Sequence, residues 1–174
     1  MLPTILLNSI KNGTCVPVIG AGFSKNAEIP TGKKIPDWNE LKDIMKAQLT
    51  TTEEDPLLIA SEFESKFKRA GLMQLLDDLI LIDELKPGYV HRQLVRIQDF
   101  DVICTTNFDL LLEEACRQEG RKFKQIVTKD QFVLHATSKP LKIFKMHGDL
   151  LNHQQLVITK KDYDDYEKNH QYFS

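Results

Sequence analysis

The residues best suited to chemistry in this chain are Asn107, Asp109 and His147, each of which follows a short apolar segment. Histidine titrates nearest neutral pH, so His147 could take a proton from water or from a hydroxyl. The Asn107 carboxamide could hold a ribose hydroxyl or orient a water molecule, and Asp109 could accept a hydrogen bond from a ligand. The plainer alternative is structural, because Asn and Asp also cap helices and a single histidine often only packs.

A glycine turn at residues 20–24, Gly-Ala-Gly-Phe-Ser, directly follows a predicted strand at 15–19. Glycines let the backbone approach a phosphate closely, free amides donate hydrogen bonds to it, and the start of a helix adds positive potential. Ser24 could donate its hydroxyl or cap that helix. The turn lacks the third glycine of the usual dinucleotide fingerprint, so by itself it also fits an ordinary strand-to-helix turn.

The elements that would position these groups are short apolar strands alternating with helical segments. This pattern predicts an α/β fold with a largely parallel sheet flanked by helices. The predicted strands lie at 15–19, 101–104, 122–128, 141–146 and 156–158. The predicted helices lie at 4–12, 37–49, 72–82, 91–97 and 160–170, with others beginning at Asp55 and Leu110. Ligands of open α/β sheets gather beyond the carboxyl ends of the strands, so the glycine turn, Asn107 and His147 are expected to meet there.

The helical stretch 37–98 is longer than one crossover helix requires, and we expect it to form a helical subdomain beside the cleft. Its first helix should begin with a capping box, because Asp37 is followed three residues later by Glu40. The four histidines other than His147 are expected at the surface or on helices. They are His91, His135, His153 and His170.

Composition describes an ordinary globular chain, since 174 residues suit one domain, 1–174, and 41% hydrophobic and 28% charged residues are usual values. The net charge of −2 gives no electrostatic footprint for nucleic acid. No apolar run reaches the ~18–20 residues of a membrane span, and the first residues predict no export. The three cysteines form no Cys-x-x-Cys pair, which argues against a structural zinc site and favours a reducing cytoplasm.

Three motifs together resemble the sirtuins. Residues 20–24 are similar to the sirtuin Gly-Ala-Gly-x-Ser, residues 105–109 (Thr-Thr-Asn-Phe-Asp) to Thr-Gln-Asn-Ile-Asp, and His147-Gly148 to the His-Gly of the catalytic histidine. The match is closer to the sirtuin-like NAD-hydrolase domains of bacterial anti-phage defence proteins. Those domains combine phenylalanine in the glycine turn, Thr-Asn-Phe-Asp, His-Gly and a tyrosine-rich helix like the one at 163–166. The resemblance extends over about residues 10–165.

The resemblance implies a Rossmann-like, sirtuin/DHS-like NAD-binding architecture and an NAD glycohydrolase, which cleaves the bond between nicotinamide and ribose. NAD would be the substrate, and no metal is implied. His147 would be the general base, Asn107 would contact the nicotinamide ribose and the attacking water, and Asp109 would help to place the nicotinamide amide. The implied NAD-binding residues are Gly20, Ala21, Gly22, Phe23, Ser24, Thr105, Thr106, Asn107 and Asp109.

Several positions depart from the sirtuin pattern. Thr106 replaces a glutamine and Glu28 replaces the glycine before Ile-Pro, while either Ile29-Pro30 or Pro36-Asp37-Trp38 can match the sirtuin Ile-Pro-Asp segment. The four zinc cysteines of deacylating sirtuins are absent, which favours hydrolysis of NAD over protein deacylation. A module that binds NAD or ADP-ribose without cleaving it is the other alternative.

Family members continue beyond the position of Ser174 with further strands and a sensor domain. The resemblance therefore implies that C-terminal strands are missing here, and that a sensor domain or partner protein and a homo-oligomer belong to the working form. No membrane partner is expected.

Overall fold

The computed structural model describes residues 3–29, 34–80, 83–135 and 139–170. The helices are α1 (Thr4–Lys11), α2 (Ala21–Ser24), α3 (Trp38–Lys46), α4 (Pro56–Ile80), α5 (Tyr89–Arg96), α6 (Leu111–Gln118), α7 (Lys129–His135) and α8 (Lys160–His170). The strands are β1 (Val18–Ile19), β2 (Val102–Thr105), β3 (Phe123–Ile126) and β4 (Leu141–Lys145). A 3-10 turn spans His153–Gln155.

The four strands form one sheet in the order β1-β2-β4-β3, and every pairing is parallel. This confirms the predicted α/β fold with a parallel sheet flanked by helices, which is Rossmann-like. In the register, Ile19 pairs with Thr105, and Thr105 pairs in turn with Lys145. The carboxyl ends of β1, β2 and β4 consequently lie side by side.

Two strand predictions were wrong in extent or type. The segment 15–19 was expected to be a buried strand, but only Val18–Ile19 is strand, and Val18 is 68% exposed because β1 forms the edge of the sheet among the described strands. Residues 156–158 are buried but are not a strand, since no described strand lies beside them to pair with. Instead, the backbone N–H of Val157 donates to the carbonyl of His147 at 3.0 Å.

The helical stretch after β1 holds α3, α4 and α5. The capping box at the start of α3 is confirmed, because Asp37 accepts from the amides of Asn39 and Glu40 while Glu40 accepts from the amide of Asp37. Helix α4 is interrupted at Lys68, which has φ 65° and ψ 167°, so its two halves correspond to the two helices that the sequence predicted. Whether 37–98 is a separate subdomain of a single domain stays a prediction.

Two apolar clusters make up the core. One joins α3 and α4 to the loops beyond the carboxyl ends of the strands, with Met45, Ile59, Leu76 and Ile158 all fully buried. The other lies between the sheet and helices α5 and α6 and includes Ile103. The loops that follow β2 and β4 are therefore supported by the first cluster, which also contains Leu150 and Leu156.

Candidate functional site

A cavity of about 180 Å³ opens at the carboxyl edge of the sheet. Six of the predicted site residues line it: Ala21, Ser24, Thr106, Asn107, Asp109 and His147. Its apolar wall comes from the helical stretch, through Trp38, Leu41 and Ile80, and from Ile35 in the segment just before it. The volume is below the ~300–1,000 Å³ of pockets that enclose a whole drug-sized ligand, so it suits one end of a larger molecule.

Asn107 is held by the glycine turn. Its Nδ2 donates to the carbonyl of Gly20 at 3.0 Å and to Oγ of Ser24 at 2.8 Å, while its backbone amide donates to Oγ1 of Thr105. Both protons of the carboxamide are thus used within the protein. The Oδ1 atom is buried and has no hydrogen-bond partner among the described residues. An acceptor left open in this way is suited to a hydroxyl or a water molecule that enters with a ligand.

Asp109 is engaged by protein groups on both carboxylate oxygens. Oδ2 accepts from the Ser24 hydroxyl at 2.5 Å, and Oδ1 accepts from the amide of Leu111 at 3.0 Å at the start of α6. Only 7% of the residue is exposed. Asp109 therefore satisfies the first amide of α6, although the N-cap residue itself is Leu110 and carries no side-chain cap. Any ligand contact must use the remaining lone pairs of a carboxylate that is already oriented.

A buried ion pair lies directly behind this loop. Lys145, on β4, donates to the backbone carbonyl of Asp109, and its Nζ is 3.6 Å from Oε1 of Glu113 on α6. Both side chains are 1% exposed. Burial raises the pKa of the Glu113 carboxyl, and the Lys145 ammonium opposes that rise. Neither carboxylate oxygen of Glu113 accepts a hydrogen bond from any described residue, so Lys145 is its main compensation.

His147 follows β4 in a turn that depends on Gly148. Gly148 has φ 75°, and a Cβ there would lie 2.4 Å from the carbonyl oxygen of Gln155, so only glycine fits without rearrangement. Burial lowers the pKa of the His147 imidazole. The side chain is therefore neutral at pH 7, which is the state a general base requires. Its Nδ1 lies 3.3 Å from the hydroxyl of Tyr163 on α8.

The other predicted binding residues lie beside the cavity without lining it. Gly20 contributes its carbonyl to Asn107, and Thr105 is buried and supports the Asn107 backbone. A Cβ at Gly22 would meet nothing within 4 Å, so its backbone faces open space that a ligand can approach. Phe23 turns away and packs edge-on against the ring of His91, with centroids 4.7 Å apart.

His91 lies on helix α5, which agrees with the expectation of a surface or helix residue, and it is buried there, with only 1% of it exposed. Its Nδ1 accepts from the amide of Gly88 and so caps α5, which begins at Tyr89 rather than at residue 91. Burial lowers the pKa of this imidazole as well. The sequence signal that could have indicated this capping role is the position of His91, three residues after Gly88 at the start of a helix.

The sequence also gave no role to Trp38 or Tyr163, both of which line the cavity. In the part of the chain that the structure describes, no group of three or more His, Cys, Asp or Glu side chains is placed to hold a metal ion. Nor does any helix in the described ranges have the length and apolar character needed to cross a bilayer.

The parallel sheet, the glycine turn after its first strand and the flanking helices define a Rossmann-like α/β type of domain. Comparison with known proteins then indicates which family of such domains this chain resembles. Residues 101–174 match the sequence model of the SIR2-like domain. This match confirms the predicted resemblance to sirtuin-like domains.

Several curated proteins are similar over a longer part of the chain. One relative is NAD(+) hydrolase ThsA of Cytobacillus dafuensis, to which this chain is 30% identical. The aligned region covers 70% of this chain and 24% of that ThsA. The chain is 27% identical to defence-associated sirtuin 2 of Bacillus subtilis over 95% of its length, covering 16% of that protein. A ThsA from Enterococcus faecium is 26% identical over 91% of the chain and is covered to 33%. The chain thus spans a third or less of the length of each of these relatives.

Proposed function

We propose that this chain is an NAD glycohydrolase domain that cleaves the bond between nicotinamide and ribose. The observation that carries the proposal is the pairing, in one cavity, of a neutral His147 with the open Oδ1 acceptor of Asn107. Support also comes from relatives that carry the name NAD(+) hydrolase. The cavity would take the nicotinamide end of the substrate, while the rest of NAD would lie along the glycine turn.

The proposed reaction places few demands on the protein. The leaving group of NAD is already a cationic pyridinium, so it departs as neutral nicotinamide without an acid. A water oxygen bonds to the ribose carbon as the carbon–nitrogen bond breaks, and the water proton passes to His147. Oδ1 of Asn107 accepts a hydrogen bond from the ribose or the water. The oriented carboxylate of Asp109 stabilises the positive charge that develops on the sugar.

The context is also a proposal. One relative is named a defence-associated sirtuin, and we extend that anti-phage role to this chain. Its three cysteines are free, which fits the reducing cytoplasm, where NAD is available. A homo-oligomer and a sensor domain or partner protein would regulate the activity.

The test is NAD consumption by the purified protein, with nicotinamide and ADP-ribose separated by chromatography. Asn107→Ala and His147→Ala should each abolish turnover while leaving the fold intact by circular dichroism. His153→Ala is the matched control, since His153 lies in the 3-10 turn outside the cavity and should leave turnover unchanged.

Other outcomes would reject the proposal in distinct ways. Saturable NAD binding without turnover would favour the module that binds NAD without cleaving it. Nicotinamide release that requires an acetylated peptide would favour a deacylase. Loss of folding in both alanine variants would leave the two residues with a structural role.

A further inference from the structure

Helix α8 places two tyrosine rings against His147. The ring of Tyr163 meets the imidazole edge-on, with centroids 5.0 Å apart at 67°, and that of Tyr166 does so at 6.3 Å and 87°. Only the Tyr163 hydroxyl has a described hydrogen bond to the imidazole, 3.3 Å from Nδ1. The two tyrosines therefore share a packing role but differ in their polar contact.

The start of α8 is fixed to the rest of the fold. Oδ2 of Asp162 accepts from the amides of Ile158 and Thr159 at 3.1 and 3.0 Å, which caps the helix. Arg69 of α4 donates to the same oxygen at 2.7 Å and to the carbonyl of Leu156 at 2.6 Å. Tyr163 is the residue after Asp162, so the backbone that carries its ring is anchored to α4 through Arg69.

The contact bears on which ring nitrogen of His147 can act. A neutral imidazole carries one proton, and the nitrogen without it is the base. If Nδ1 carries the proton and donates it to the Tyr163 oxygen, Nε2 keeps its lone pair. The one hydrogen bond described for this imidazole, among the residues that the structure describes, is at Nδ1. If the tyrosine donated instead, Nε2 would carry the proton and could not accept one.

We propose that Tyr163 is a positioning residue that accepts a hydrogen bond from Nδ1–H of His147 and thereby leaves Nε2 as the basic nitrogen. The inference rests on the proposed function, because the 3.3 Å contact fits either tautomer and the need for a general base selects the Nδ1–H form. The tautomer itself can be measured without turnover. Tyr163 acts through His147 and need not touch the substrate. Its phenol stays protonated near neutrality, because burial raises its pKa.

The other titratable groups around the imidazole are already committed or distant. Tyr166 faces it edge-on from the same helix, with ring centroids 6.3 Å apart, and has a further interaction of its own. Across the cavity, Asp109 is bonded to Ser24 and to a backbone amide, and Asp37 is paired with Lys25 at 2.6 Å. Among the described residues, the Tyr163 hydroxyl is thus the group positioned to determine which ring nitrogen of His147 carries the proton.

The direct test is nuclear magnetic resonance of the whole chain labelled with 15N-histidine, which distinguishes an imidazole protonated at Nδ1 from one protonated at Nε2. The His147 signals are assigned by their loss in His147→Ala. We expect His147 to be the Nδ1–H tautomer, and Tyr163→Phe to shift it toward the Nε2–H form. Tyr166→Phe is the matched control and should leave the tautomer unchanged. An Nε2–H tautomer in the parent protein, or no change in Tyr163→Phe, would overturn the proposal.

Kinetics provide a second measurement. Tyr163→Phe should lower kcat by about tenfold, roughly the value of one hydrogen bond, with little change in KM for NAD. An acceptor on Nδ1–H stabilises the imidazolium, so its removal should move the acidic limb of the pH profile to lower pH. A shift to higher pH would identify Tyr163 as a donor and reject the inference. A protein with the Nδ1–H tautomer but without turnover would support this inference and count against the proposed function.

Discussion

Replacing Lys145 by methionine tests whether the buried ion pair behind the cavity holds the loop that carries Asp109. Methionine is one heavy atom shorter than lysine, so it keeps most of the apolar stem but removes the charge and the hydrogen bond to the Asp109 carbonyl. It leaves the Glu113 carboxylate buried, with neither oxygen hydrogen-bonded to any described residue. The unpaired charge, rather than the lost packing, should dominate the cost.

The expected magnitude follows from the geometry of the pair. At the 3.6 Å between Nζ and Oε1, an effective dielectric of ~20 gives an attraction of roughly 4–5 kcal/mol. Removing one partner of a buried pair generally costs ~3–5 kcal/mol. We therefore expect Lys145→Met to lower the free energy of unfolding by about 3–5 kcal/mol, a large share of the ~5–15 kcal/mol available to a domain.

The assay is urea unfolding followed by circular dichroism, with a double-mutant cycle. Glu113→Leu in the Lys145→Met background should recover more than half of the loss, because it removes the uncompensated charge. Lys124→Met, which removes an exposed lysine on β3, is the control and should change stability by less than ~0.5 kcal/mol.

The pH dependence of the stability of Lys145→Met tests the same argument, because the direction of the change can be predicted. Without Lys145, the pKa of Glu113 should rise further above its unfolded value, and protonation of the folded state relieves the buried charge. The difference in free energy of unfolding between the parent protein and Lys145→Met should therefore become smaller as pH falls from about 7 to 5. A loss below ~1 kcal/mol, or additive effects of the two substitutions, would refute the reasoning.

Three further predictions concern the supports of the site. Burial holds the pKa of His91 below 6.5, so the unfolded chain binds its proton first and stability should decline as pH falls below that value. His91→Asn keeps an acceptor for the Gly88 amide and should reduce this decline in unfolding curves, whereas an unchanged slope would contradict the burial argument. Asp55→Ala removes the acceptor of the first amides of α4 and should cost ~1 kcal/mol by thermal unfolding, with Asp55→Asn less costly; equal losses would argue against the cap. Gly148→Ala should lower stability and NAD cleavage far more than Gly13→Ala, because φ is positive at both but a new Cβ at Gly13 has no atom closer than 3.9 Å; similar stability losses would show that φ alone matters.

Much of the architecture was predictable because it depends on local patterns of apolar and polar residues in the sequence. Apolar segments alternating with helices predicted the parallel sheet, and Asp37 with Glu40 predicted where α3 begins. The same patterns failed where long-range packing decides. Val18 is as apolar as a core strand residue, yet it lies at an edge that its local sequence does not reveal.

The candidate site was predictable only in its polar part. Motifs at strand ends identified Asn107 and His147, since parallel strands bring their carboxyl ends to one edge of the sheet. Trp38 and Tyr163 reach the cavity from helices far away in sequence, and their positions depend on how α3 and α8 pack. Local periodicity carries no information about such contacts, which is why the apolar wall and the partner of His147 were missed.

The side chains proposed to be catalytic and the apolar wall of the cavity come from different parts of the fold. Asn107 and His147 each stand two residues beyond a paired position, Thr105 and Lys145, on neighbouring strands, so the hydrogen bonds of the sheet fix their spacing. Much of the wall belongs to α3 and α4, which pack against each other. Substitutions in the wall can change which molecule enters the cavity while leaving the proposed catalytic pair, Asn107 and His147, undisturbed. Selectivity and reactivity in this domain are therefore free to evolve separately.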